Sequence, residues 1–299
     1  MYMNTNTRIL APEFAFARPA SLAEAFALMK EHGPGARLLA GGTDLLVQMK
    51  MERLSPDLVI GLSGVKELEG IAAGDGLTIG AATTIWAISK SPEVGTQVAA
   101  LREACSAFST VSVMFMGTLG GNLCNASPAS DTAPALLAHD ASLVIKSVRS
   151  ERTVLLAEFF TGPGKTVLKP GEIVTAVTIP KPVASTGSAF RKISRVVADI
   201  SQVCAAVSLV REGKKVTGCR IALGSVAPTP IRLARAEEAL VGQDGTPQSF
   251  AKVAEIVAED IRPISDVRAS EGYRRHVART IVRDALQTAW QRAGEGDSK

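Results

Sequence analysis

Apolar positions recur along this chain with two different periods, and the changes between them mark out its elements. Leu22, Ala25, Phe26 and Met29 fall three and four residues apart, so one face of a helix is apolar. Ser21-Leu22-Ala23-Glu24 opens that helix as a capping box, and Gly33 marks its end. The pattern places a short strand over Glu13 to Arg18 before it and another over Arg37 to Ala40 after it. A second helix runs from about Asp44 to Met51. Strands over Leu58–Leu62 and Leu77–Ala81 flank a Gly74-Asp75-Gly76 turn. Helical spacing then extends from Thr84 to about Val111, broken at Pro92 and Gly95, and a further helix ends near His139. Strands over Ser142–Val148 and Glu172–Ile179 close this half.

Pro180-Lys181-Pro182 to Gly187 combines two prolines, a glycine and small polar residues, the composition of a linker. Beyond it the alternation of a strand appears three times, over Ala189–Ser194, Val203–Arg211 and Val216–Val226. Turns near Asp199 and at Glu212-Gly213 make these an antiparallel meander. The rest is helical, over Leu233–Val241, Pro247–Glu259 and Glu271–Arg292. The residues after Gly294 are expected to fray.

Composition narrows the function classes. The 299 residues suffice for two domains, and a hydrophobic fraction of 46% can fill their cores. Net charge is only +4 with scattered basic residues, and aromatics are 4%, so a nucleic-acid-binding stripe is not expected. Met1 to Leu10 lacks the apolar core of a secretory signal, and no apolar run is long enough for an integral membrane segment. Cys105, Cys124, Cys204 and Cys219 are too far apart for a metal-binding CxxC pattern. Reduced thiols and a cytoplasmic location follow, with no metal site. His32, His139 and His276 stand apart from any ligand set.

Two glycine-rich segments carry the candidate chemistry: Ala40-Gly41-Gly42-Thr43-Asp44 and Gly117-Thr118-Leu119-Gly120-Gly121-Asn122. Each sets adjacent glycines beside a hydroxyl and a small polar residue. A pyrophosphate needs such chemistry, because bare N–H groups approach it closely where no Cβ intervenes. One such loop usually marks a turn, whereas two of like chemistry suggest a clamp on a dinucleotide. No Gly-x-Gly-x-x-Gly fingerprint accompanies them, since Gly33-Pro34-Gly35 and Gly74-Asp75-Gly76 lack the third glycine. Gly162-Pro163-Gly164-Lys165-Thr166 imitates the tail of a phosphate-binding P-loop, but Phe159 occupies the position of its first glycine. That stretch reads as a loop with an exposed lysine.

On these residues the chain resembles the FAD-binding medium subunit of the molybdenum hydroxylases, the family of carbon monoxide dehydrogenase and bacterial xanthine dehydrogenases. The likeness rests on Ala40 to Leu45, on Thr118 to Leu123, and on Ala126-Ser127-Pro128-Ala129-Ser130-Asp131. Late in the chain, Asp266-Val267-Arg268-Ala269-Ser270 with Tyr273-Arg274 resembles the family's C-terminal signature. The resemblance implies an α+β fold. A two-subdomain FAD-binding domain of the vanillyl-alcohol-oxidase (PCMH) type would span residues 1–180. A small three-stranded antiparallel sheet with a helical bundle would span 188–292. Leu39, Ala40, Gly41, Gly42, Thr43, Asp44 and Leu45 would then wrap the FAD pyrophosphate together with Thr118, Gly120, Gly121 and Asn122. Asp131 would bond the adenosine ribose, and Phe108 would lie near the cofactor. Val174 would touch the adenine, with Arg191 or Lys192 supplying a basic group near the flavin.

The same resemblance implies an oxidoreductase subunit with no catalytic acid or base of its own. It would relay electrons from a [2Fe–2S] small subunit, itself fed by a molybdenum-cofactor large subunit, to NAD⁺, a quinone or another acceptor. The assembly would be a hetero-oligomer, a dimer of heterotrimers being one arrangement. Cys124 is the only cysteine between Cys105 and Cys204, so the extra iron–sulfur cluster of the 4-hydroxybenzoyl-CoA reductases is not expected. His32 lies several residues upstream of the first loop, which implies noncovalent FAD. Two other readings remain: a self-sufficient FAD oxidase or dehydrogenase with its own substrate, and a scaffold that has lost its cofactor.

Overall fold

The computed structural model describes Leu10 and residues 13–295. The chain begins with a small parallel sheet: β1 (Ala15–Ala17), α1 (Leu22–His32), β2 (Ala36–Leu39), α2 (Leu45–Lys50) and β3 (Leu58–Gly61), in the strand order β1-β3-β2. The Ser21 cap of α1 acts as its spacing predicts, while Glu24 reaches one residue past the N-cap amide that a capping box engages. Ser21 Oγ accepts the Glu24 N–H at 3.2 Å, and the Glu24 carboxylate reaches back to the Ala20 N–H at 2.9 Å. Ala25 and Phe26 then bury against Leu58 and Ile60.

A second unit follows: β4 (Ile71–Gly74), β5 (Gly76–Gly80), α3 (Ile85–Lys90), α4 (Pro92–Gln97), α5 (Ala99–Ser106), α6 (Val111–Met116), α7 (Leu119–Cys124), α8 (Thr132–Leu137), β6 (Ser142–Lys146), β7 (Glu151–Leu155), α9 (Leu156–Phe159), β8 (Phe160–Gly162), β9 (Lys165–Thr166) and β10 (Ile173–Pro180). Five of these strands form an antiparallel sheet in the order β4-β5-β10-β6-β7, with α3, α5, α7 and α8 contributing to the core beside it. β8 and β9 pair around Pro163-Gly164, so the stretch resembling a P-loop is a hairpin tip.

Several expectations need correction here. The Gly74-Asp75-Gly76 turn joins β4 to β5, whereas β3 belongs to the parallel sheet. β4 escaped notice because Ile-Ala-Ala-Gly carries too little apolar bulk to show alternation. The helical region after Thr84 breaks at Ser91 and Val98. Pro92 is the first residue of α4, where its missing N–H costs nothing, and Gly95 lies inside that helix. Neither α6 nor β7 follows from the periodicity of the sequence.

The third unit comprises β11 (Thr186–Ile193), β12 (Val203–Glu212), β13 (Lys215–Gly224), β14 (Ile231–Arg232), α10 (Ala234–Leu240), α11 (Pro247–Asp260) and α12 (Glu271–Glu295). Its antiparallel sheet runs β11-β12-β13-β14, so a two-residue fourth strand joins the three expected. Both faces of this sheet are buried. Ala189, Ala205 and Val207 pack with α11 and α12, while Phe190, Cys204 and Ala206 join the core of the second unit. The period of two therefore decides which side chains of β11 reach back toward the first half of the chain. Among the described residues no helix is long and apolar enough to cross a membrane.

Candidate functional site

The two glycine segments meet. β2 delivers Ala40–Asp44 to the start of α2, and α6 delivers Gly117 and Thr118 to the start of α7. A Cβ on Gly41 would lie 1.8 Å from Met116 O and 3.0 Å from Gly117 Cα, so only glycine lets the backbones touch. Gly120 is constrained likewise, since its Cβ would lie 2.7 Å from that of Ala81. Gly42 has φ +76°, in the left-handed region where glycine is least strained. Gly121 is part of α7 and has no positive φ; its added Cβ would meet chiefly the Thr118 hydroxyl, at 2.9 Å.

The segments differ in what their backbones offer. In the first, the N–H groups of Gly42, Thr43 and Asp44 have no acceptor among the described residues. In the second, the Leu119 N–H donates to Thr83 O at 3.0 Å and the Gly120 N–H to Ala81 O at 2.8 Å. The Gly121 N–H donates to Thr118 Oγ1 at 3.1 Å, and the Asn122 N–H to Thr118 O at 3.0 Å. Bare amides were expected from both segments; they occur in the first. The second presents side chains, namely the Thr118 hydroxyl, which keeps its proton to donate, and the Asn122 carboxamide.

Between them lies a cleft of about 300 Å³. Ala40, Gly41, Gly42, Thr43, Asp44 and Leu45 line one side, Thr118, Gly120, Gly121 and Asn122 the next, and Phe108 and Val174 also face it. Asn125 Nδ2 donates to Asp44 Oδ1 at 3.1 Å and so ties the two segments together. Burial raises the Asp44 carboxyl above its ordinary value, against the lowering effect of the Thr43 hydrogen bond. Asn125 escaped the sequence reading, although it sits one helical turn beyond Asn122. Cys124 lines the cleft too, and burial pushes its thiol up to about 12, which keeps it protonated and unreactive.

Four of the expected site residues stand outside this lining. Leu39 ends β2 and its side chain lies against Gly42, while Leu38 faces the cleft. Asp131 is 5% exposed and its Oδ2 accepts from Lys192 Nζ at 2.7 Å, so one of its two carboxylate oxygens is taken by an ammonium. Burial raises its carboxyl to about 6, the Lys192 charge opposing the shift. Asp131 Oδ1 is buried with no hydrogen-bond partner among the described residues. Lys192 Nζ also donates to the carbonyls of Ala107 (3.0 Å) and Phe108 (3.2 Å), which holds the cleft-lining Phe108 from behind. Arg191, one residue away on β11, faces the opposite side and donates to Thr288 Oγ1 of α12 at 2.7 Å. Strand alternation thus puts Lys192 beside the site and removes Arg191 from it.

The remaining motifs prove to be supports. Ser130 Oγ and Thr132 Oγ1 both donate to Asn122 Oδ1, at 2.7 and 2.6 Å. Pro128 O accepts the Ser225 N–H at 2.7 Å, joining the site to the third unit. In the late signature, the buried Arg274 donates to Gln202 O (2.5 Å), Ser225 O (3.1 Å) and Asp266 Oδ1 (2.8 Å). Burial would raise the Asp266 carboxyl, but the N–H groups of Arg268 and Ala269 together with the Arg274 guanidinium hold it down at about 2. Among the described residues, no three His, Cys, Asp or Glu side chains gather as a metal site.

This arrangement suits a dinucleotide. Free N–H groups at the left-handed Gly42, the Thr118 hydroxyl and Asn122 carboxamide across from them, and a buried carboxylate oxygen with no partner among the described residues are features such a ligand would use. Comparison with known proteins agrees. Residues 12–182 match the family model described as "FAD binding domain in molybdopterin dehydrogenase", and residues 188–289 match "CO dehydrogenase flavoprotein C-terminal domain". The carbon monoxide dehydrogenase medium chain of Hydrogenophaga pseudoflava is 32% identical over 285 residues, covering 95% of this chain and 99% of that one. The putative xanthine dehydrogenase FAD-binding subunit of Escherichia coli (strain K12) is 34% identical, over 94% of this chain and 97% of the relative. Among solved structures, a carbon monoxide dehydrogenase from Hydrogenophaga pseudoflava superimposes with a TM-score of 0.91 at 33% identity, covering 95% of this chain and 99% of that chain. A chain of quinoline 2-oxidoreductase from Pseudomonas putida 86 gives 0.89 at 30% identity, covering 94% and 98%. The chain belongs to the FAD-binding family of the molybdopterin dehydrogenases, as an FAD subunit of molybdenum hydroxylase complexes.

Proposed function

We propose that this chain is the electron-relay subunit of its complex. A [2Fe–2S] small subunit supplies electrons taken from substrate by a molybdenum-cofactor large subunit. FAD supplies the junction chemistry, since it can exchange electrons singly or in pairs, and the acceptor beyond it is NAD⁺, a quinone or another carrier. The protein's own work is to position and to enclose. Gly42, Thr43 and Asp44 offer N–H groups to the pyrophosphate, and Thr118 and Asn122 add side-chain donors opposite. Phe108 and Val174 supply apolar contact, and Gly41, Gly120 and Leu45 shape the floor. Asp131 Oδ1 awaits a donor from the cofactor, with Lys192 holding the carboxylate in place.

The observation that carries this reading is the cleft itself: a clamp built from two glycine segments, lined by donors and apolar groups. We assign no general acid or base to the chain. The FAD-binding portion takes in residues 1–180 and the C-terminal domain 188–292. The complex works in the cytoplasm, where the four free thiols stay reduced.

The test is recovery of the tagged chain from its native cells, followed by size measurement and metal analysis. Co-purification with one chain holding molybdenum and another holding iron–sulfur clusters is the expected result. A free monomer that turns over a substrate completely by itself would contradict the relay and favour the self-sufficient oxidase.

A further inference from the structure

Asn122 faces the cleft on a side chain that could present either end of its carboxamide. We infer that Ser130 and Thr132 are positioning residues that fix this choice and aim the Asn122 NH₂ group at the bound pyrophosphate. The inference rests on the proposed contact between Asn122 and FAD. It adds two residues outside the cleft lining.

The hydroxyl protons decide the orientation. Ser130 and Thr132 are 2% and 0% exposed, so neither hydroxyl can turn to water. Ser130 Oγ already accepts the Ala133 N–H at 3.3 Å, which leaves its proton to be donated. Among the described residues the only acceptor for both protons is Asn122 Oδ1, at 2.7 and 2.6 Å. Flipping the amide would bring NH₂ against both oxygens and strand two buried hydroxyl protons without acceptors, a costly state. Oδ1 is therefore committed on the protein side, and Nδ2 is the end left to donate into the cleft. The fork also raises donor strength, because hydrogen bonds accepted by an amide oxygen polarise its N–H groups.

Sequence order makes the device compact. Asn122 lies in α7, and Ser130 and Thr132 flank Asp131 at the start of α8, so one short segment orients the carboxamide and carries the buried carboxylate. Thr132 is the cleaner probe, since Ser130 also accepts the Ala133 N–H. Thr132→Val keeps the shape and removes only the hydroxyl.

The experiment measures FAD affinity by flavin-fluorescence titration of the full-length chain stripped of cofactor, with thermal unfolding of each variant as a folding check. Thr132→Val is expected to weaken binding by about five- to tenfold, the worth of one misdirected hydrogen bond. Thr132→Ser should restore it. In an Asn122→Ala background, Thr132→Val should have no further effect on affinity. If Asn122→Ala leaves affinity unchanged, the proposed contact fails and the inference falls with it. If Asn122→Ala weakens binding but Thr132→Val does not, or weakens it equally in both backgrounds, the contact stands and the positioning role is overturned. Should the valine variant not fold, Thr132→Ala replaces it with the same criteria.

Discussion

Replacing Gly41 by alanine should separate cofactor binding from folding. The new Cβ would lie 1.8 Å from Met116 O and 2.5 Å from its carbonyl carbon, and both atoms are backbone. Neither can rotate away, so the two segments must part by more than an ångström. Overpacking of this kind typically costs about 1–3 kcal/mol of stability, which a 299-residue chain can survive. The cofactor should suffer more. Parting the segments moves the Gly42–Asp44 amides away from Thr118 and Asn122, so one pyrophosphate cannot engage both sets. Hydrogen bonds to a charged group are worth about 1.5–3 kcal/mol each, and losing two weakens binding by roughly a hundredfold or more. Gly213→Ala is the control, with φ +56° in the β12–β13 turn and nothing within 4 Å of the added Cβ. It should cost about 1 kcal/mol of stability and leave flavin content unchanged. The assay is FAD bound per folded protein, with affinity by titration. Parental affinity in Gly41→Ala would refute the argument that contact between the segments forms the clamp.

Further expectations concern neighbouring groups. Lys192→Met should lower stability by about 3 kcal/mol by leaving Asp131 buried and unpaired, and should weaken FAD binding, whereas Arg191→Met should leave FAD affinity unchanged; urea unfolding and titration separate the two effects. Arg274→Met, which frees two carbonyls and Asp266, should cost about 3 kcal/mol in urea unfolding, and Arg274→Lys should recover little of it because one ammonium cannot replace the fork. His139 is buried, and burial holds its imidazole down at about 4, with Asp140 opposing. Its folded value lies below the unfolded one, so its contribution to stability is complete above about pH 6.5 and fades as pH falls toward 4, by on the order of 3 kcal/mol. His139→Gln should flatten that acid limb of the stability curve; an unchanged slope would show that another group titrates.

Much of this was legible in the sequence where the signal is local. The Ser21 cap, the third-unit strands and helices α10 to α12 follow from periodicity and capping chemistry. Both glycine segments were visible as a shared composition. What stayed hidden depends on contacts between distant residues. Gly121 lines the cleft from the first turn of α7, whereas Gly41 and Gly120 are the close-packed glycines because Met116 and Ala81 press on them. That Asp131 is held by Lys192 could not be read from the sequence, because Lys192 lies 61 residues away on another unit. The choice between Arg191 and Lys192 needed only the phase of β11, which no single strand discloses until its partners are known. β4 and α6 lacked the apolar bulk or the length for their periods to emerge.

The central claim is that FAD sits between the two glycine segments, and amide hydrogen exchange on the full-length chain with and without FAD tests it most directly. The amides of Leu119 to Asn122 are already hydrogen-bonded, whereas those of Gly42, Thr43 and Asp44 are free. The account predicts that FAD slows exchange most strongly in peptides covering Gly42 to Leu45, changes Leu119 to Asn122 less, and leaves the β12–β13 turn unaffected. Protection that appears elsewhere on the chain, with Gly42 to Leu45 exchanging as before, would contradict it.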